Sequence, residues 1–553
     1  MAGQAAGTRT SRRSSAGRCP PSTAASSSTP TAAASTSSAA SPASISGPTD
    51  RARDPHLDAL ISSALSTIHR ALPSPSVSVG GRLCALPDAP DGGGPDRLSC
   101  LPDALLRDII SRLPVKDAVR TAALSHRWRP VWLSAPLVLY DAHLLPAPTD
   151  DIPSRVKRAD SDAAAAAVSV ILAAHGGPLR CAYLACGNMD GDRARVARWL
   201  QLLAVKGVEE LLLINRPPLQ IDKHLPATLF SMAALTRLYL CFLRFPATAG
   251  LPRGAAFPRL RELGLCSVAM EGHADMDFIL ARSPELENLC FEGHMFPPLG
   301  LRLAGRSLRC VQIHYSKVKS IAVVDAPRLA RLIVMNSPLK AGGSCTIKIG
   351  NAPSLHLFGY FDPVSHVLQV GSTDIKAGTL VDARAMVPAV KILALKFHFR
   401  VRNDAKMLPS FLRCFPNVER LYIHSEKVNE PTGKLNFKFW QEAGGIQCVE
   451  SRVKQLVFHD FRGENSELAF LKFLVESARV LEKLVIVCAD GCFGSVDEAN
   501  SKVKKNLFAG KKGAGGCALL VLEGAKEKEG APWPYDRGFD FSRVDPFEFV
   551  VPT

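Results

Sequence analysis

The sequence predicts an α/β fold: a solenoid of parallel strands with helices or loops on its outer face. A short unit of three helices precedes it, and an α/β cap closes it. Three observations carry this. Beyond residue 200 one pattern recurs eleven times: apolar, two residues, apolar, one residue, apolar. Ahead of it, "LPDALLRDIISRLPVKD" at 101–117 packs leucine and isoleucine into two short helices bounded by proline. Behind it, residues 448–487 pass from strand through turn and amphipathic helix to strand.

A chain of 553 residues exceeds one hydrophobic core, so two to four units are expected. The hydrophobic fraction of 47% and charged fraction of 21% suit folded segments. No apolar run approaches the roughly 18 residues that span a bilayer, so no membrane role is expected. The net charge of +16 raises the question of nucleic acid. Lys and Arg are spread along the chain, however, and the densest cluster, Lys502 to Lys505 with Lys511 and Lys512, is short. A solvated basic surface is the better reading, with no nucleic-acid partner. The fifteen cysteines include no CxxC pair, and Cys266 and Cys290 sit in apolar, strand-like contexts as small core hydrophobes. Cys181 with Cys186, and Cys488 with Cys492, lack the companions a zinc site needs, so no metal or cofactor is expected. With no secretory apolar stretch at the start, a reducing compartment is expected, nucleus or cytoplasm.

Residues 1–54 read as a disordered Ser/Ala/Thr-rich tail. Its first 49 residues hold four arginines and no acidic residue, a composition that cannot offset chain entropy. An organelle transit peptide has similar composition and is the lesser alternative. Residues 55–97 hold an amphipathic helix, with Leu57, Leu60, Ile61, Ala64, Leu65, Ile68 and Leu72 on one stripe, followed by a Pro/Gly-rich linker.

In the next segment Pro102 suits the first turn of a helix and Asp103 the positive end of its dipole. Leu105 with Ile109, and Leu106 with Ile110 and Leu113, make a broad apolar face on about three turns. Pro114 ends that helix. A second is expected from Lys116 to Leu124, with Val115, Val119 and Ala123 on its apolar side. Ser125 is a candidate N-cap for a third helix carrying Trp128 and Trp132, which Pro130 should shorten or kink. Three helices in about 45 residues cannot stabilise themselves. Their apolar surface docks either on a partner or on the rest of the chain, and chemistry alone leaves both open.

The stretch "LSCLPDALLRDIISRLPVKDAVRTAALSHRWRPVW" resembles an F-box of the plant type, over nearly the whole motif. The resemblance places the F-box at 98–142. It implies docking on a Skp-type adaptor and, through it, on a cullin–RING ubiquitin ligase. Leu101, Pro102, Leu105, Ile109, Leu113, Pro114, Val119, Leu124, Ser125 and Trp128 match the motif, and in such families these positions mix adaptor contact with internal packing.

The repeated pattern starts at Val208, Leu235, Leu260, Leu286, Leu308, Leu329, Leu355, Val390, Val418, Val453 and Leu481. Successive starts lie 27, 25, 26, 22, 21, 26, 35, 28, 35 and 28 residues apart. Pro258, Pro284, Pro327, Pro353, Pro388 and Pro416 stand two positions before six of them, marking where strands begin. At this period the chain reads as a leucine-rich-repeat solenoid, set at 160–425. The residues between the strand hydrophobes should face outward. The ninth position, usually Asn or Cys, is Arg216, Leu243, Val268, His294 and Glu426 in sampled copies, so irregular turns are expected. The spacings of 35 suggest insertions or a breakdown between 355 and 453.

Residues 446–490 resemble the FBD domain of plant F-box proteins and are expected to cap the solenoid; 491–553 form a C-terminal tail. No nucleophile elbow, phosphate loop or zinc-protease motif occurs, so no catalytic residue is assigned. The resemblance implies a non-catalytic substrate-recognition subunit of a Skp–cullin–F-box ligase. The alternative is a leucine-rich-repeat scaffold whose F-box packs internally. Candidate contacts to the target protein are Glu209, Arg237, Arg261, Glu287, Arg309 and Arg331. Several are basic, which suggests an acidic or phosphorylated partner.

Overall fold

The computed structural model describes residues 100–548, together with Leu72, 76–80 and Leu98. Left out within that span are 154, 217–218, 220–222, 294–297, 336–343, 364, 428–434, 509–516 and 525–537. The expected tail 1–54, the amphipathic helix apart from Leu72, most of the linker, His294, Lys511 and Lys512 lie outside the described residues.

Proline opens the first two helices. Pro102 (φ −57°, ψ 147°) is the extended residue before α1, Asp103–Ile110, and Pro114 (φ −52°, ψ 143°) plays the same part for α2, Val115–Thr121. Both prolines stand just outside the helix rather than within its first turn. Helix α1 has eight residues, and α2 begins and ends earlier than the expected 116–124. The third helix, α3, spans Trp128–Ser134 and is preceded by Arg127, not capped by Ser125. Pro130 causes no kink because it is the third residue of α3, where a backbone N–H has no intrahelical partner to lose.

The remaining strands and their connections run in chain order. They begin with β1 (Leu137–Tyr140), α4 (Arg158–Ala174), β2 (Leu179–Leu184), α5 (Arg193–Val205), β3 (Glu210–Ile214), β4 (Arg237–Cys241) and β5 (Glu262–Cys266). Next come α6 (His273–Arg282), β6 (Asn288–Glu292), β7 (Leu299–Ala304), β8 (Cys310–His314), β9 (Val318–Asp325) and β10 (Arg331–Met335). Then β11 (Cys345–Asn351), β12 (Leu357–Phe361), β13 (His366–Val370), β14 (Thr373–Ile375), β15 (Ile392–Phe397), α7 (Arg402–Cys414) and β16 (Arg420–Ser425). The chain closes through α8 (Phe437–Glu442), α9 (Gln447–Ser451), β17 (Gln455–Phe461), α10 (Asn465–Ser477), β18 (Lys483–Cys488), α11 (Val496–Leu507) and β19 (Ala518–Leu522).

One 14-stranded sheet orders them β1-β2-β3-β4-β5-β6-β8-β10-β12-β15-β16-β17-β18-β19, so each repeat adds one strand. The pairings are parallel and most keep one register, as in Glu210↔Arg237 and Arg237↔Glu262, with shifts at β1/β2, β12/β15 and β17/β18. The sheet therefore starts at β1, inside the segment assigned to the F-box, and extends well past 425. The long spacings hold insertions, namely β13–β14 and the stretch carrying α8, while β12, β15, β16 and β17 stay paired. Nor is 446–490 the outer end of the solenoid: β17 and β18 are ordinary members of the sheet, and β19 lies beyond them.

Leu211, Leu213, Leu238, Leu240, Leu263 and Leu265 enter the main core together with the apolar sides of α5 and α6. In the middle repeats the outer layer is a second sheet, β14-β13-β11-β9-β7, instead of helices or loops. Its strands alternate, as in "LGLRLA" with Leu299, Leu301 and Leu303 buried and Arg302 and Ala304 exposed, so their period is 2 rather than 3.6. The residues between the strand hydrophobes do face the inner side, but most are not solvated. Leu212, Tyr239, Cys290, Gln312 and Ile333 are all buried.

The turns leaving β4, β5, β6 and β8 are regular, contrary to expectation, whereas β12 and β17 end in the irregular pairing that was expected. Phe242, Ser267, Gly293 and Tyr315, each just after a strand, all adopt φ between 47° and 66°. Their amides donate to the next repeat: Phe242 to Cys266 O, Ser267 to Glu292 O, Gly293 to His314 O and Tyr315 to Met335 O, at 2.7–3.1 Å. This backbone ladder does the work usually given to asparagine side chains. One such side chain is present: Asn215 Oδ1 accepts from Met189 N at 2.8 Å, and its Nδ2 donates to Phe242 O at 3.2 Å.

Candidate functional site

The first candidate surface is the F-box, where the fold separates two sets of apolar residues. Leu106, Ile110, Val115, Ala118, Trp128, Val131 and Trp132 join the same core as Leu137, Val168 and Leu172. Trp132 meets His175 edge-on at 5.1 Å. At the other end of β1 the buried Asp141 carboxylate accepts from Ala185 N at 2.9 Å and Cys186 N at 2.8 Å, tying the turn after β1 to the end of β2. Burial pushes that carboxyl above its usual range, against the two amide bonds.

The other set points away. Leu105 is 51% exposed, Val119 38% and Leu124 65%, with Leu98 and Leu133 also exposed. Pro102 and Ser125 are exposed; Leu101, Ile109, Leu113 and Pro114 are half-buried. Arg127 holds the two ends of the motif together, donating through Nη2 to Leu101 O at 2.6 Å and Asp103 Oδ1 at 2.7 Å. Of the ten residues matched to the F-box motif, Trp128 is the exception. It is 4% exposed and packs inside, so it cannot present its ring to a partner.

The second candidate surface is the inner face of the sheet. The six residues assigned to it do not form one row. Glu209, Arg261, Glu287 and Arg309 each stand one residue before a strand, whereas Arg237 and Arg331 are first residues of β4 and β10. Glu209 is exposed. The cations are already engaged, which removes the reason for expecting an acidic partner at them. Arg237 bridges Glu210 at 3.0 Å and Glu262 at 3.2 Å across three adjacent strands. Those carboxylates also accept from Tyr183 at 3.2 Å and Tyr239 at 2.7 Å. Arg261 pairs with Glu285 at 3.5 Å and Arg309 with Glu287 at 3.3 Å.

Arg331 is buried beneath the C-terminal segment. Its Nη1 donates to Gly538 O at 2.7 Å and Asp540 O at 3.1 Å, and its Nη2 donates to Arg543 O. The N-terminal end of the inner face is covered too: Val77 and Leu145 pack on Tyr140, Tyr183 and Leu212. Sequence reasoning missed Arg420, Tyr422 and Tyr360, which hold the same C-terminal segment. Arg420 was within reach, since it begins its strand as Arg237 and Arg331 begin theirs.

The described residues contain no group of three or more His, Cys, Asp or Glu placed to hold a metal ion. Among them no helix is long and apolar enough to cross a membrane.

Comparison with known proteins agrees with this division. A family model for the F-box domain matches residues 98–139, and one for FBD matches 441–486. A third, described as "FBD-associated F-box protein At5g56370, LRR repeats", matches 196–423. F-box/LRR-repeat protein 13 of Arabidopsis thaliana is 23% identical over 459 residues, covering 77% of this chain and 96% of its own. F-box/FBD/LRR-repeat protein At2g04230 of the same plant is 28% identical over 349 residues, covering 62% and 67%. The chain carries the F-box, leucine-rich-repeat and FBD domains that these plant proteins combine. These domains support a ubiquitin-ligase adaptor role in general.

Proposed function

We propose that the chain is a substrate-recognition subunit of a Skp–cullin–F-box ubiquitin ligase. The observation that carries this is the exposure of Leu105, Val119 and Leu124 on a unit whose own core, Leu106, Ile110, Val115 and Trp128, is buried without them. Side chains of that size left in water on a scrap of three helices mark a contact surface. The F-box docks a Skp-type adaptor there, and the solenoid's inner face selects the target. The chain itself supplies no bond chemistry. It holds a target lysine near a ubiquitin thioester carried by another subunit, so its contribution is proximity and orientation.

The test is co-purification of the full chain with a Skp-type adaptor. Leu105→Ala combined with Leu124→Ala should abolish capture while the melting transition is kept. A wild-type chain that captures no adaptor overturns the proposal.

A second reading is a non-ligase scaffold, favoured by the continuity between the F-box core and the solenoid core. That packing uses Leu106, Ile110 and Trp128 and leaves Leu105 and Leu124 unexplained. On this reading, the double alanine variant would bind every partner as the wild type does.

A further inference from the structure

Residues 538–548, "GFDFSRVDPFE", lie along the inner face from β8 to β16 and are held there by a built site. Asp545 is fully enclosed: its Oδ2 accepts from Arg420 Nη1 at 2.9 Å and from the Tyr422 hydroxyl at 2.8 Å. Its Oδ1 accepts from Phe547 N at 2.9 Å, which turns the Phe547 ring inward. That ring sits between Tyr360 at 5.2 Å and Tyr422 at 5.4 Å, edge-on to both. Upstream, the guanidinium groups of Arg309 and Arg331 lie 3.8 and 4.4 Å from the centre of the Phe541 ring. Arg331 also takes three main-chain carbonyls, contacts that any extended peptide offers. The fit is close at the start, where a Cβ on Gly538 would lie 2.4 Å from Gln312.

Two features distinguish this from ordinary core packing. Ser542, Arg543, Val544 and Glu548 are exposed, so the segment lies on the face with one side in solvent. Phe547 also joins a small apolar cluster with Ile333, Leu357 and Val457, but the polar grip comes from three arginines and two tyrosines, which water can solvate when the segment leaves.

We propose that this face is a recognition site for a peptide carrying Asp-x-Phe with an aromatic residue four positions before the Asp. The chain's own tail occupies it until a partner segment of the same chemistry displaces it. This gives the target chemistry for the receptor proposed above, and it rests on that receptor role only for the fate of a captured target.

The experiment uses the full chain with a protease recognition sequence inserted between β19 and Gly538. The probe is a fluorescent peptide of residues 538–548, followed by anisotropy before and after cutting. A site filled by its own tail for nine-tenths of the time or more weakens apparent affinity about tenfold or more. The cut chain should therefore bind the peptide at least about tenfold more tightly than the intact chain. The same peptide with Asp545→Ala and Phe547→Ala should not bind, and Arg420→Ala in the cut chain should abolish binding of the unaltered peptide. Equal affinity before and after cutting overturns the proposal, as does equal binding of the altered peptide. So does loss of the cooperative melt on cutting, since the tail would then be part of the fold. None of these readouts involves the adaptor, so failure here is distinct from failure of adaptor capture.

Discussion

Leu105 and Leu106 are adjacent in the chain and opposite in the fold: Leu105 is 51% exposed and Leu106 is fully buried. They separate docking from folding. Leu106→Ala removes a side chain from the core shared with α3 and should cost about 2–5 kcal/mol of stability. Leu105→Ala should stay within about 0.5 kcal/mol of wild type and act instead on adaptor capture. Urea denaturation alongside adaptor co-purification checks both. A Leu105→Ala chain as unstable as Leu106→Ala would mean that Leu105 packs inside.

Arg237 is shared by Glu210 and Glu262 in three consecutive strands, with side chains 16–33% exposed. Replacing it with alanine leaves two carboxylates facing each other across a gap. The cost should be about 1–3 kcal/mol, more than an exposed surface pair would give. Glu262→Gln with Arg237→Ala should cost less than the two single losses added together, because one repulsion disappears with the charge. A urea-unfolding double-mutant cycle measures this, and strict additivity would contradict the shared pairing.

The architecture was legible because strand hydrophobes at a fixed spacing force parallel stacking, and Pro258, Pro284 and their equivalents mark where strands start. The second, outer sheet was legible in principle, since "LGLRLA" and "CTIKIGN" alternate with period 2, but the longer repeat masks that alternation. What lay beyond sequence was long-range. Whether a motif leucine docks or packs depends on α3 packing against α1 and β1 against α2. Likewise, the inner face is covered by Asp545 and Phe547, more than a hundred residues from Arg420 and Tyr422. The missing asparagines misled for a different reason: the backbone at Phe242 and Ser267 makes the ladder itself, which a side-chain pattern cannot reveal.

Gly264 faces Tyr239 in the neighbouring strand, and a Cβ there would lie 2.2 Å from the tyrosine ring. Gly264→Ala must displace Tyr239 and break its 2.7 Å bond to Glu262. A loss of about 1–3 kcal/mol is expected from overpacking. Pairing it with Tyr239→Leu should recover part of the loss, read from thermal melts of the two single variants and the double. Purely additive losses would show that the ring is not what blocks the site.

Buried histidines make stability depend on pH, and His314, His366 and His459 are shifted furthest. Burial holds His314 and His459 down to about 3 and His366 down to about 4, against an ordinary value of 6.5. His459 is flanked by His424, which lowers it further, and by Asp460, which raises it. A depressed folded pKa means that the unfolded chain takes up the proton first. Stability contributed by these neutral rings is therefore complete above about 6.5 and falls as pH drops from there toward 3–4. Each ring adds at most about 1.4 kcal/mol per pH unit to the slope. Asp141 and Glu467, whose carboxyls burial raises, act in the opposite sense and gain stability on acidification, which blunts the decline at lower pH. The urea midpoint should accordingly fall between pH 7 and pH 5.5. His314→Gln or His459→Gln should flatten that fall even if it lowers the plateau, because a ring that cannot titrate removes its part of the slope. A midpoint that stays level over this range in the wild type, with the same pH slope in both variants, would overturn this account.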